Sequence, residues 1–514
     1  MAVRLARACG RARRTWDEWL TNGDGLRRQW TIARDRLSIV AADGVFSYQD
    51  LAATSASVAD VLTERGDLAD ARVAFLVPPS FAFVAVQRGI WRAGGIAVPL
   101  AVSHPPAELD HVVRDSGASI VVGSGRQAEA LAEIATRHGA RFIRTPDLLA
   151  DGENRGPQVA GTLGASHPAD RPAMILYTSG TTGRPKGVVT THGNIAAQMA
   201  SLIKAWEWTR EDRALSVLPL HHVHGLINVV GCALAAGASC EILPQFETEP
   251  AWERLASGDV TVFSAVPTIY HRLIASWDAA PARMQRARSE GAGRVRLMMS
   301  GSAALPRKTL DRWREITGHV LLERYGMTEL GMVLSNPLHG ERRPGFVGTP
   351  LPGVDVRLVD DELEVRGPGV FREYWQRPDE TAAAFHDGWF RTGDIAAVEH
   401  GAYRLLGRRS VDIIKTGGFK VSALEIEDTL REHPSIAECS VTAAPDEEWG
   451  ERVEVTVELR KDRDLTLGEL QEWSRSRLAR YKIPRRLYIT TALPRNALGK
   501  IMKTSAVSDG TKPA

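Results

Sequence analysis

Ile175-Leu176-Tyr177-Thr178-Ser179-Gly180-Thr181-Thr182-Gly183-Arg184-Pro185-Lys186-Gly187 sets three glycines, four aliphatic hydroxyls and a lysine directly behind an apolar run. Glycines let successive backbone N–H groups turn toward an anion. Hydroxyls donate to phosphate oxygens, and a lysine adds a mobile positive charge. The stretch therefore reads as a polyphosphate-holding loop. A Walker-type loop is the nearest rival, because Gly180 and Lys186 have its spacing. Pro185 occupies the place of its second glycine, however, and Gly187 the place of its hydroxyl, so that pattern fails at two fixed positions.

Working outward, apolar runs alternate with helical patterns. Residues 71–100 read as strand, turn, helix and strand, with Gly94-Gly95 breaking the helix. Strands are expected at Ser119–Val122, Ala214–Leu218 and Val260–Phe263, so α/β layers should dominate. Residues 151–170, rich in Gly, Pro, Asp and Ser, read as a loop. After Gly407 the texture changes, and about a hundred residues carry a strand at Val453–Leu459 and a helix over Leu467–Leu478, enough for a small α+β domain.

At 514 residues the chain is too long for one core, so at least two domains are expected. Lys and Arg total 64 against 62 acids, a net charge of +2, which gives no global field for nucleic acid and favours small-molecule substrates. The four cysteines, at 9, 232, 240 and 439, lack metal spacing and fit a reducing compartment. The most apolar stretch, Gly225–Cys240, is shorter than the roughly 20 residues a bilayer span needs, so no membrane insertion is expected. Arg4, Arg7, Arg11 and Arg14 recur at helical spacing in an acid-free N-terminus. A solvated basic tail of a cytoplasmic protein is the preferred reading, with a mitochondrial-matrix leader as the alternative.

Further along come Glu323-Arg324-Tyr325-Gly326-Met327-Thr328-Glu329, Arg391-Thr392-Gly393-Asp394, Gly407-Arg408, Thr416-Gly417-Gly418 and Pro494-Arg495-Asn496-Ala497-Leu498-Gly499-Lys500, in that order. With the opening stretch they resemble the adenylate-forming superfamily of acyl-CoA synthetases, luciferases and adenylation domains, over about residues 30 to 505. That resemblance implies an α/β fold with a large multi-layer N-terminal domain and a small mobile α+β C-terminal domain. The boundaries implied are a basic extension 1–30, an AMP-binding domain 31–407 and a small domain 408–514, with a hinge near Ser410. The family usually has Asp or Lys at that hinge place, so Ser410 is a departure.

The resemblance also assigns roles. Thr178, Ser179, Gly180, Thr181, Thr182, Gly183 and Lys186 hold ATP phosphates; Tyr325, beside Gly326, is the adenine platform; Asp394 accepts both ribose hydroxyls, with Arg408 as a nearby donor. Thr328 and Glu329 belong to the catalytic set, and Glu329 is the Mg²⁺-associated carboxylate. Lys500 bridges the substrate carboxylate and the α-phosphate during adenylation. Gly417 and Gly418 line the tunnel for coenzyme A, the co-substrate. Because adenylation needs Lys500 and thiol attack needs an open channel, the small domain is expected to rotate between the two steps.

Three more segments bear on the acid: Leu218-Pro219-Leu220-His221-His222-Val223-His224-Gly225, Val266-Pro267-Thr268-Ile269-Tyr270-His271-Arg272 and Ser300-Gly301-Ser302-Ala303-Ala304-Leu305-Pro306. These resemble the malonyl-CoA and methylmalonyl-CoA synthetases. The resemblance implies that Arg272 binds the distal carboxylate, in a pocket with His224, Ser302 and Met327. A planar guanidinium can grip a carboxylate bidentately, and burying it without one would be costly. His221 and His222 read as structural, and no Cys or Glu completes a zinc set. The expected product is malonyl-CoA, for a downstream fatty acid or polyketide synthase. The rivals are a monocarboxylate acyl-CoA synthetase, an enzyme loading a carrier protein, and a degenerate nucleotide-binding protein.

Overall fold

The computed structural model describes residues 36–64, 66, 68–150, 167–178, 185–409, 411–416, 419–446, 449–495, 501–503 and 512–513. Four sheets run among them. A nine-stranded sheet has a parallel centre in which Arg213–Ser216, Val262–Ala265, Leu297–Ser300 and Leu322–Met327 lie side by side. Leu322–Met327 then turns back antiparallel into Gly331–Ser335. A seven-stranded sheet centres on the parallel neighbours Arg72–Leu76, Ile96–Pro99 and Ile120–Gly123, and passes through Pro172–Thr178 to the antiparallel Lys186–Thr191. Their strands are near-continuous runs of buried Val, Ile, Leu and Ala, as strands covered on both faces require.

The predicted βαβ unit is observed as Arg72–Leu76, the helix Phe81–Arg92 and Ile96–Pro99. Ser80 caps the helix by accepting from the Phe83 N–H, and Gly94, at φ 75°, makes the turn that ends it. One core of buried residues, including Trp206, Trp252, Trp313, Phe75 and Phe263, runs between the two sheets.

A five-stranded antiparallel sheet carries Trp389–Glu399 paired with Ala402–Arg408, with Asp394 opposite Arg408. The last sheet is six-stranded and has its own core of Ile414, Ile426, Val441, Val455 and Leu470. The molecule is thus α/β with a large N-terminal and a smaller C-terminal part. The expected strand at Val453–Leu459 begins earlier, at Gly450, and the expected helix Leu467–Leu478 ends at Ser474. Arg475 caps that helix with its N–H on the Gln471 and Glu472 carbonyls. Among the described residues no helix is long and apolar enough to cross a membrane.

Candidate active site

Two adjacent residues of the strand Leu322–Met327 face opposite ways, because side chains alternate along a strand. Tyr325 donates its hydroxyl to Asp394 Oδ2 at 2.5 Å, and Arg408 Nε pairs with Asp394 Oδ1 at 3.0 Å. Asp394 lies on Trp389–Glu399, directly after Gly393, which takes φ 73° within the strand, and its N–H donates to Thr392 Oγ1 at 3.0 Å. Tyr325, 69 positions before Asp394, thus joins it in one buried contact that the half-buried Arg408 completes. An ionised carboxylate has about four lone-pair sites, so Asp394 retains capacity for two ribose hydroxyls beside its two present donors.

Gly326 follows Tyr325 where the strand turns back: a Cβ there would come 1.9 Å from the Gly331 carbonyl oxygen, so only glycine fits. Glu329 is buried in that turn and accepts the Tyr374 hydroxyl at 3.0 Å. Burial raises the Glu329 carboxyl above the usual carboxylate range, and the Tyr374 hydrogen bond opposes the rise. Thr328 is half-buried beside it. Among the described residues no cluster of three metal-ligating side chains occurs. One carboxylate completed by phosphate oxygens and waters is a donor set that Mg²⁺ accepts, so Glu329 fits the expected ion.

Lys186 opens the strand Lys186–Thr191, its ammonium paired with Glu380 and 5.3 Å from the centre of the Tyr374 ring. Tyr374 therefore links Lys186 to Glu329. Sequence reading missed it, since a lone tyrosine beside Trp375 carries no motif. Thr178 ends the preceding strand, opposite Lys186. Ser179, Gly180, Thr181, Thr182, Gly183, Ser410, Gly417, Gly418 and Lys500 lie outside the described residues.

The other face of the strand carries Arg324, beside His224. His224 begins a buried π-helical segment, His224–Gly231, a wide turn often found at functional sites. Its Nδ1 is 3.0 Å from Ser302 Oγ, its Nε2 is 2.8 Å from Ser264 Oγ, and Arg324 Nη2 also contacts Nε2. A guanidinium only donates, so Nε2 accepts, and the proton sits on Nδ1, facing Ser302. Burial, reinforced by the Arg324 charge, holds His224 neutral well below its usual range. Ser302 is in the left-handed region at φ 68°, a backbone cost for a non-glycine residue that aims its hydroxyl at the imidazole. Met327 is half-buried and packs against the cluster that includes Tyr325.

Arg272 departs from the buried pocket expected for it. It is exposed on the helix Pro267–Ala279, with its guanidinium 4.9 Å from the centre of the Phe246 ring. The buried guanidinium is that of Arg324, which sequence reading quoted within its motif and assigned no role. The pairing of that side chain with His224, a hundred positions away, is tertiary and leaves no local pattern.

The chain belongs to the AMP-binding enzyme family, whose description matches residues 26–375, with the family's C-terminal domain matching residues 425–500. It is 44% identical over 511 residues to "Malonate--CoA ligase ACSF3, mitochondrial" of Mus musculus, covering 91% of this chain and 88% of that protein. It is 42% identical to "Malonate--CoA ligase" of Arabidopsis thaliana, covering 91% and 85%. The structure superposes on ATP-bound MatB from Rhodopseudomonas palustris with a TM-score of 0.83 and 34% identity, covering 93% of this chain and 96% of that one.

Proposed function

We propose that this enzyme is a malonyl-CoA synthetase: malonate and ATP give malonyl adenylate and pyrophosphate, and coenzyme A then gives malonyl-CoA and AMP. A malonate oxygen attacks the α-phosphorus as pyrophosphate leaves. The thiol sulfur then attacks the acyl carbonyl as AMP leaves. The observation that carries the reading is the acyl end itself, where buried His224 is ringed by Ser264, Ser302 and Arg324. A fatty-acid pocket would be apolar there, since polar groups without partners are costly to bury. The identity to malonate ligases over nine-tenths of the chain supports the same substrate.

In this reading Tyr325 and Asp394 fix the adenosine, Lys186 holds the terminal phosphates after leaving Glu380, and Lys500 offsets the repulsion between carboxylate and α-phosphate. Mg²⁺, when bound at Glu329, supplies charge neutralisation on the polyphosphate. Arg272 steadies the distal carboxylate from the solvent side, and Met327 limits the bulk at the α-carbon, admitting methylmalonate. Rotation of residues 408–514 about a hinge near Ser410 exchanges Lys500 for the channel lined by Gly417 and Gly418. The word mitochondrial in the mouse relative's name supports a leader role for the Arg-rich start, which lies outside the described residues. A fatty acid or polyketide synthase would consume the product.

Formation of AMP and thioester with malonate, methylmalonate, succinate, acetate and octanoate, given ATP, Mg²⁺ and CoA, tests the proposal. Turnover confined to the first two acids is expected. Preference for acetate or octanoate would overturn the substrate while leaving the two-step chemistry.

A further inference from the structure

We propose that Lys503 is a positioning residue for adenylation, tying the chain on either side of Lys500 to the turn that follows Arg408; the inference rests on the reading of Lys500 above. The Lys503 side chain is 12% exposed, and its ammonium lies 2.7 Å from Asp412 Oδ1 and 2.7 Å from Glu427 Oε1. Burial would lower the ammonium, but the Glu427 and Asp412 carboxylates outweigh it and raise it above the usual lysine range, so it stays a cation at neutral pH. The pairing continues beyond Glu427. Arg431 reaches Glu427 Oε2 at 3.6 Å and Glu438 Oε1 at 2.7 Å, and Arg495 Nη2 reaches Glu438 Oε2 at 3.6 Å. Side chains of alternating sign thus run from Asp412 through Lys503, Glu427, Arg431 and Glu438 to Arg495.

Both Lys503 and Arg495 belong to one closed base. Ile501 pairs antiparallel with Arg495, and the Met502 N–H donates to the Pro494 carbonyl at 2.8 Å, so the chain departs at Arg495 and returns at Ile501. Lys500 is the last residue between them. Arg495 anchors the departing segment and Lys503 the returning one, through Glu427 on the helix Ala423–Leu430 and Glu438 on the strand Ile436–Asp446. Asp412 carries the line to the nucleotide side. Its Oδ2 accepts the Arg408 N–H at 2.9 Å, while the Arg408 guanidinium pairs with Asp394. Gly407, at φ 120°, permits this approach, since a Cβ there would lie 2.3 Å from Asp412 Cβ. Well-packed apolar side chains would stabilise such a place about as well as buried ion pairs, so the charges here serve geometry. A cation that must meet the attacking carboxylate and the α-phosphate together needs that geometry, because a displacement of about 1 Å can cost roughly a hundredfold in rate.

The test measures the two half-reactions separately: pyrophosphate release with malonate, and thioester formation from supplied malonyl adenylate. It compares wild type, Lys503→Met, Asp412→Asn, Lys500→Ala and the Lys500→Ala, Lys503→Met double variant. Lys503→Met should lower kcat for adenylation by about tenfold to a hundredfold, with KM for ATP within about twofold and thioester formation spared. In the Lys500→Ala background the same change should cost adenylation nothing further, because its effect passes through Lys500. Adenylation left intact, equal loss of both half-reactions in a folded Lys503→Met protein, or a full further loss in the double variant would overturn the assignment. Should the methionine variant not fold, Asp412→Asn decides, since it leaves Glu427 to pair the ammonium. A selective fall in adenylation of about threefold or more supports the role, and parallel losses or none overturn it. If Lys500→Ala itself lowers both half-reactions together, the reading of Lys500 fails; a split at Lys500→Ala that Lys503→Met does not reproduce sinks this proposal alone.

Discussion

The two faces of the strand Leu322–Met327, proposed above as the nucleotide end and the acyl end of the site, treat charge in opposite ways. At the nucleotide end these charged groups, all among the described residues, already have partners: Asp394 with Tyr325 and Arg408, Glu329 with Tyr374, and Lys186 with Glu380. At the acyl end the buried cation Arg324 has none of opposite sign among the described residues. Groups fixed in advance lose little freedom when the ligand arrives, and they serve a ligand common to every cycle. A group left unsatisfied gains most from the one ligand that completes it, which makes it an instrument of selection.

If that division is right, substitutions at the nucleotide end should harm all acids alike, and those at the acyl end should separate them. The largest effect is expected at Lys500→Ala, which should cut adenylation by about a hundredfold to a thousandfold with every acid, while supplied malonyl adenylate is still converted to thioester. Loss of both half-reactions in a folded variant would refute domain alternation. Asp394→Asn removes the charge that holds Tyr325 and Arg408; kcat/KM for ATP should fall by roughly tenfold to a hundredfold, equally with malonate and butyrate. A drop that depended on the acid would break the separation of the two ends. Arg272→Ala, at an exposed and screened position, should cost malonate no more than about fivefold. A loss of about a hundredfold or more on malonate, with butyrate unchanged, would place the specificity charge on the solvent side.

The smallest effect concerns Glu323, on the same strand. Burial raises its carboxyl to about 8; the Gly345 N–H, which donates at 2.8 Å, lowers it, and Asp428 of the C-terminal part raises it further. Between about pH 4.5 and about 8 the folded protein therefore keeps a proton that the unfolded chain has lost, so this group makes stability fall as pH rises through that window. Glu323→Gln removes the dependence. Its Tm relative to wild type should rise from pH 5 to pH 8, and a difference constant with pH would show that Glu323 is ionised in the fold.

Much of this was legible because it is local. The Ile175–Gly187 stretch, the βαβ grammar of residues 71–100 and the ordered motifs each lie within a short run of chain, where glycine placement and apolar alternation leave a direct trace. Those motifs pointed to Tyr325, Asp394 and Arg408 before any contact was known, and the structure joins all three. Tyr374 escaped because one hydroxyl reaching Glu329 over 45 positions has no spacing to betray it. Arg272 and Arg324 are alike as letters, both arginines set within motif segments. Composition and motif cannot tell an exposed arginine stacked on a half-buried phenylalanine from one sealed beneath a histidine.

The sequence by itself determined the family and the α/β grammar, because each is set by residues close together in the chain. Only the tertiary structure decided which arginine is buried and which is solvated. Burial is a property of what packs around a side chain from distant strands, and here it depends on Gly301, His224 and Ser264 arriving at one place from separate segments. That burial leaves the Arg324 guanidinium with no ion pair among the described residues.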